Sequence, residues 1–237
     1  ASGLRAASIG TLGVELANCS EDYEPKLCKA INLTTPDSTD LHRSLAEIAS
    51  HGFKHLGLEA SSHGLAQHRL DGVRVVSAAF TNLTRDHLDY HGEVEKYLAS
   101  KLRLFSEILL DGGTIVINAD SCEASALRGI ANQRRAKVID YGCNAEDLVL
   151  LKRTVEGSNQ HLELEVFGSR HQVCLPLPGE FQVANALAAL GLAISTDVSV
   201  ESALAAFAEL RGVRGRMELA GIHPHGAAIY IDYAHTP

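Results

Sequence analysis

Short, nearly continuous apolar runs punctuate the chain at Ala7–Gly10, Ala30–Thr34, His55–Glu59, Val75–Phe80 and Thr114–Asn118. Runs of this length without polar alternation suit strands buried on both faces of a sheet. Helical patterns lie between them. In one, Asp37-Ser38-Thr39 offers N-caps, Leu41, Leu45 and Ile48 form a stripe, and Gly52 stops the helix. The strand–helix rhythm predicts an α/β fold with a doubly wound, mostly parallel sheet flanked by helices. From Leu148 the pattern becomes alternation, in Val149–Val155, His161–Val166 and His171–Leu175, with Gly157-Ser158-Asn159 and Gly168-Ser169 as turns. This predicts a small antiparallel annex over about 148–176. Two Ala/Leu-rich helices near 181–194 and 199–210 and a last strand, Ala228–Ile231, complete the pattern. No linker, repeat or low-complexity tract interrupts it, so residues 1–237 read as one domain.

A chain of 237 residues with 46% apolar content buries a sizeable core. Its 21 basic against 29 acidic residues give a formal charge of −8, with no arginine-rich run to track a polyphosphate backbone, which argues against a nucleic-acid partner. No stretch approaches the roughly 20 apolar residues that span a bilayer. The start Ala1-Ser2-Gly3-Leu4-Arg5 lacks the pattern of a signal peptide, so a cytoplasmic protein without membrane insertion is expected. Cys19, Cys28, Cys122, Cys143 and Cys174 are odd in number and irregularly spaced, against both a disulfide framework and a thiolate zinc site and consistent with a reducing compartment. His51 and His55 straddle Gly52, a helix stop, and are not expected to share a metal.

In open parallel sheets, ligands bind beyond the carboxyl ends of the strands. There this sequence is polar: Thr34-Thr35-Pro36-Asp37, Glu59-Ala60-Ser61-Ser62-His63-Gly64, the stretch Thr81 to Gly92, Asn118-Ala119-Asp120, and Asp232-Tyr233-Ala234-His235. Each cluster alone also suits caps and turns. Glu59, closing an apolar strand, suits a hard cation such as Mg²⁺, with His87 able to reach the same ion. A transition metal on His87, Asp89 and His91, or a solvated acidic turn, are the competing readings.

Placed about 100° apart from Val94, the residues Tyr97, Leu98, Leu102, Leu104, Phe105, Ile108 and Leu109 share one arc of a helix. Lys101 falls near the middle of that arc. An ammonium there snorkels, pairs with an anion, shifts its pKa or is chemically modified. Gln182 and Asn185, three apart on the next Ala/Leu helix, share a face on which amides either read a purine edge or cap. Arg211, Arg214 and Arg216 lie in a Gly-rich loop, where guanidinium either meets phosphate or faces solvent. No Gly-x-x-x-x-Gly-Lys-[Ser/Thr], Gly-x-Gly-x-x-Gly or Gly-x-Ser-x-Gly occurs.

Taken together and in order, Thr34-Thr35-Pro36-Asp37, Glu59 to Leu65, Phe80 to Leu83, Asp86 to Gly92, Tyr97 to Lys101, Gly179 to Asn185, Gly215 to Glu218 and Asp232 to Pro237 resemble the central domain of the Mur ligases. Within that family they are most similar to the ligase that adds the third stem-peptide residue of peptidoglycan to UDP-N-acetylmuramoyl-L-alanyl-D-glutamate. The resemblance covers nearly the whole chain and implies a P-loop-NTPase-like fold. It also implies an ATP- and Mg²⁺-dependent reaction in which the substrate carboxylate is phosphorylated and an amino acid, diaminopimelate or lysine, attacks the acyl phosphate. It assigns Glu59 and His87 to Mg²⁺, and Lys101, as a carbamate, to a second Mg²⁺. Thr34, Thr35, Ser61, Gln67 and Arg69 would hold the UDP-muramoyl peptide, Asn185 the adenine, and Arg216 and Asp232 the ribose and phosphates. His235 belongs to the last motif without an assigned role. Gln182 stands where the family usually has Asn, and Asn118-Ala119-Asp120-Ser121 where it has Asn-x-Asp-Asp. The phosphate loop and N-terminal domain of relatives would precede Ala1 and their C-terminal domain would follow Pro237, so this piece alone is expected to be inactive. A non-catalytic module binding the muramoyl nucleotide, and a metal-dependent hydrolase using Asp86, His87, Asp89 and His91, are the alternatives.

Overall fold

The computed structural model describes residues 3–19, 33–83 and 88–233. Ala30 to Asn32 of the second apolar run, Cys28, Asp86, His87 and His235 lie outside them, as does the side chain of Asp89. The other runs form strands: β1 (Ala6–Gly10), β3 (His55–Leu58), β4 (Val75–Phe80) and β5 (Leu109–Asn118). Helix α1 (Ser38–Ser50) starts at the Asp37 cap, whose carboxylate accepts from Asp40 N, and stops at Gly52 with φ +79°. His51 thus ends a helix and His55 opens a strand, so the two share no helical face.

Two sheets result. One has three strands in the order β2-β1-β3, with β2 (Gly13–Ala17) antiparallel and β3 parallel to β1. The other has six in the order β4-β5-β6-β7-β8-β9. There β4, β5, β6 (Lys137–Gly142) and β7 (Leu148–Glu156) run parallel, and β7, β8 (Asn159–Val166) and β9 (Ser169–Leu175) antiparallel. The annex is therefore an extension of the parallel sheet, joined at its edge by Tyr141 opposite Leu148 and Gly142 opposite Val149. Strands β2, β6 and β10 (Glu218–Ile222) have no counterpart in the sequence reading.

Strand β5 shows why the sheet is covered on both sides. Ile115 and Ile117 pack with Leu127 and Ala131 of α5 (Ala124–Arg134), while Val116 between them packs with Val183 and Leu187 of α6 (Glu180–Ile194). All three strand residues are fully buried, each worth about 1.5–3 kcal/mol of transfer free energy. Helix α6 lies close enough that a Cβ on Gly191 would come within 2.7 Å of Val116. The three-stranded sheet has its own core, in which Ile9 meets Leu41, Ile48, Leu65 and Leu70.

The helix containing Lys101 is shorter than its apolar stripe predicts. After a short helix α3 (Leu88–His91), helix α4 (Val94–Arg103) gives way to a π-helical turn, Leu104–Ile108, and Leu109 already pairs with Val75 in the sheet. A wider turn breaks the 100° spacing, so the arc beyond Leu102 was misdrawn although Phe105 and Ile108 are indeed buried. After α6, helix α7 (Val200–Ala205) runs into a 3₁₀ turn, Ala206–Glu209, and β10 pairs antiparallel with β11 (Ala228–Ile231) as a separate hairpin.

Asp140 ties β6 to its neighbours. Its Oδ1 accepts from Glu146 N at 2.8 Å and Asp147 N at 2.9 Å, and its Oδ2 accepts from Arg128 of α5. Burial pushes this carboxyl up, but those backbone and guanidinium donors outweigh burial and hold it below its ordinary value of 3.8. Asp140→Ala, which strands these donors, is expected to cost about 2–4 kcal/mol in denaturant unfolding. Because the folded carboxyl titrates below the unfolded one, its stabilisation is complete above pH 3.8 and fades as the pH falls below it. The stability gap between wild type and Asp140→Asn should accordingly narrow on acidification, and a gap that widens would contradict the assignment.

Candidate functional site

Glu59 follows β3 immediately, its N–H bonded to Ile9 O of β1 at 2.9 Å. Its Oε2 accepts from Thr11 N at 3.0 Å and Thr11 Oγ1 at 2.7 Å, and Thr11 Oγ1 lies 3.0 Å from Thr34 Oγ1. Gly10 makes room: a Cβ there would sit 2.6 Å from the Glu59 carboxyl carbon. The carboxylate thus lies across the end of β1, exposed and flanked by two hydroxyls.

Thr35 is fully buried beside it. Its hydroxyl donates to Glu59 O at 2.7 Å and accepts from Ser61 N at 2.9 Å, while its carbonyl accepts from Arg69 Nη1 at 2.7 Å. Ser61 caps α2 (Ser62–Ala66), its Oγ accepting from Gly64 N at 3.1 Å, which leaves its hydroxyl proton for another partner. Gln67 Oε1 accepts from Arg69 Nε at 3.0 Å and Nη2 at 2.5 Å, and Gln67 Nε2 donates to Tyr90 OH at 3.0 Å. Five of the sequence-predicted substrate residues, Thr34, Thr35, Ser61, Gln67 and Arg69, are therefore linked to Glu59 in one hydrogen-bonded network.

Lys101 stands on α4 at the carboxyl end of β4, its Nζ 5.9 Å from the ring centre of Phe80 and 5.1 Å from that of Tyr97. Both rings attract an ammonium. A series of ring contacts runs from here back toward Glu59: Tyr97 stacks on His91 at 5.2 Å, His91 meets Tyr90 at 4.8 Å, and Tyr90 meets His63 of α2 at 4.1 Å. Helix α2 itself packs on α4.

The nucleotide candidates form two further groups. Asn185 is exposed on α6 and donates to Gln182 Oε1 at 3.3 Å, so the pair shares a face as expected. Arg216 is exposed before β10, and Asp232 Oδ2 beyond β11 accepts from the adjacent Met217 N at 2.7 Å, bringing those two segments together. Asp120 at the end of β5 is consumed structurally, accepting from Cys143 N, Asn144 N and Asn144 Nδ2. Burial first, then the nearby Asp120 and Glu180 carboxylates, push the Cys143 thiol up, which disfavours a reactive thiolate at this rim. Sequence reasoning missed Thr11 and Tyr90. Inspecting the residue after the first apolar run, as was done for the others, would have found Thr11.

The donors beside Glu59 are all oxygen, which fits a hard cation. Among the described residues no group of three or more His, Cys, Asp or Glu side chains could hold a metal. Mg²⁺ asks for less than that, taking one or two carboxylates and completing its shell with water and phosphate oxygens. His87 lies outside the described residues.

The sequence pattern of the Mur ligase middle domain matches residues 2–193. The chain belongs to the Mur ligase middle-domain family. A UDP-N-acetylmuramoyl-L-alanyl-D-glutamate–2,6-diaminopimelate ligase of Bradyrhizobium diazoefficiens is 47% identical over 99% of this chain and 47% of its own length. The ligase of the same name from Rhizobium meliloti is 45% identical over 100% of this chain and 47% of its own. A solved structure of such a diaminopimelate ligase is similar with a TM-score of 0.79 at 31% identity, covering 98% of this chain and 46% of that one. The chain thus spans about half the length of the Mur ligases it matches. An FPGS–AMPPCP complex shares the fold, with a TM-score of 0.73 at 16% identity. Among the described residues no helix is long and apolar enough to cross a membrane.

Thr35 is the joint of this Mur ligase network. Thr35→Val keeps the shape but leaves Glu59 O and Ser61 N without their buried partner, and is expected to lower stability by about 1–3 kcal/mol in urea unfolding. An unchanged midpoint would show that the hydroxyl is not the link described.

Proposed function

We propose that this chain is the middle, ATP-binding domain of a MurE-type ligase, a cytoplasmic enzyme acting on UDP-N-acetylmuramoyl-L-alanyl-D-glutamate and diaminopimelate. The observation that supports this most is the network joining Glu59 to Thr34, Thr35, Ser61, Gln67 and Arg69 in a chain of this family. In the reaction proposed, the terminal carboxylate of the muramoyl dipeptide attacks the γ-phosphorus of ATP, the bond to the bridging oxygen breaks, and ADP leaves. The amine of diaminopimelate then adds to the acyl phosphate, loses a proton and expels inorganic phosphate as the amide forms.

Such a reaction depends on alignment and charge neutralisation more than on covalent help from the protein. Glu59 and His87 would hold one Mg²⁺ and Lys101, as a carbamate, a second, and these ions would supply positive charge beside the phosphate oxygens. Thr11 donates to one Glu59 oxygen and leaves the other for a cation. Thr35 and Ser61 anchor the substrate loop, and Arg69, oriented by Gln67, offers its guanidinium to the anionic substrate. Asn185 would meet the adenine, and Arg216 and Asp232 the ribose and phosphates.

The test is ADP release dependent on both the muramoyl dipeptide and diaminopimelate in the ligase that contains this chain. Glu59→Gln and Lys101→Ala are expected to lower kcat by about 100-fold or more. Mass spectrometry of the intact protein kept in bicarbonate should show the mass of one CO₂ on Lys101, lost in Lys101→Ala. Turnover untouched by both substitutions would reject the assignment.

A further inference from the structure

The Gln67–Arg69 arm is long and solvent-facing, yet it is braced from two sides. On one side Tyr90 OH accepts from Gln67 Nε2 at 3.0 Å, which directs Gln67 Oε1 to the two Arg69 donors. On the other side the residue between them, His68, stands in the left-handed region at φ 58° with its Nδ1 2.9 Å from Asp71 Oδ2. The second oxygen of Asp71 accepts from Arg103 Nη2 at 2.6 Å, and Arg103, on α4, also donates to Leu65 O of α2 at 3.0 Å. One carboxylate thus ties the turn of the arm to the helix that holds Lys101.

We infer that Tyr90 and Asp71 are positioning residues for substrate recognition, holding the Gln67–Arg69 arm in its binding geometry before the ligand arrives. The inference rests on the function proposed above and adds two residues to it. Of the five N–H donors of Arg69, three are used by Gln67 and Thr35, leaving two for an anion of the muramoyl peptide. A guanidinium fixed by three bonds loses less freedom on binding than a mobile one, so bracing lowers the cost of recognition rather than adding a contact. Tyr90 is 46% exposed and the Asp71 side chain 47%, so neither is needed to fill the core.

The experiment is steady-state kinetics of the ligase containing this chain, with Tyr90→Phe, Asp71→Asn, Gln67→Ala and the double variant of Tyr90→Phe with Gln67→Ala. Tyr90→Phe and Asp71→Asn should each raise KM for the muramoyl dipeptide about 3- to 10-fold, as loss of one orienting hydrogen bond predicts, with kcat and KM for ATP unchanged and, in Tyr90→Phe, Tm unchanged as well. Because Tyr90 acts through Gln67, Tyr90→Phe should have no further effect once Gln67 is alanine. A KM that does not move in either single variant, or that rises equally in the presence and absence of Gln67, overturns the inference. A wild-type enzyme without turnover on the muramoyl dipeptide overturns the functional reading itself.

Discussion

The arrangement at the strand ends depends on one buried threonine. Thr35 has no exposed surface, so its hydroxyl and carbonyl must find partners within the protein. They do so on three separate segments: the chain leaving β3 at Glu59, the cap of α2 at Ser61, and the guanidinium of Arg69. Gly64 makes this possible, since a Cβ there would lie 2.7 Å from that of Thr35. With those segments joined, the Glu59 backbone, the start of α2 and Arg69 are held together around Thr35.

The second constraint is the contact between α2 and α4. Glu59 precedes the one helix and Lys101 stands on the other, so their relation is set by how the two helices meet. Arg103 supplies the polar part, bonded to Leu65 O, to Asp71 and to Glu107, with only 13% of its side chain exposed. Ring contacts from Tyr97 through His91 and Tyr90 to His63, of which only Tyr97 on His91 is stacked, supply the rest. A residue partnered on three sides and a run of ring contacts limit how the two helices can move relative to each other.

Much of this was legible in the sequence, and the exceptions have physical causes. Strands β1, β3, β4 and β5 announce themselves as short, mostly apolar runs set between helical patterns. The helix around Leu41 announces itself by its cap and stop. Strand β6 does not, because its Asp140 is polar yet 2% exposed, and only Arg128 and the Glu146–Asp147 backbone, brought near by folding, make that tolerable. The π-helical turn after Arg103 is invisible to a 100° wheel. At the site, residue types at strand ends pointed to Glu59, Thr35 and Ser61. Thr11 has a signal by position, directly after the first apolar run, whereas Tyr90 and Asp71 escaped because each acts on a distant residue or through a neighbour, a relation that spacing does not encode. The grouping of Arg216 with Asp232 came from the family resemblance alone; the bond from Met217 N to Asp232 joins the two segments without involving the Arg216 side chain.

The central claim is that separate strand ends meet in one magnesium pocket, with Glu59 as a ligand and Lys101 beside it. It is tested most directly by a crystal structure of the ligase containing this chain, grown with Mn²⁺ in place of Mg²⁺ and a non-hydrolysable ATP analogue, and read for anomalous scattering. The account predicts a peak at bonding distance from a Glu59 carboxylate oxygen, about 2.1–2.2 Å away, with phosphate oxygens completing its shell and Lys101 on the same side of the nucleotide. A fully bound nucleotide whose metal lies away from Glu59, with Lys101 turned to a different surface, would contradict it.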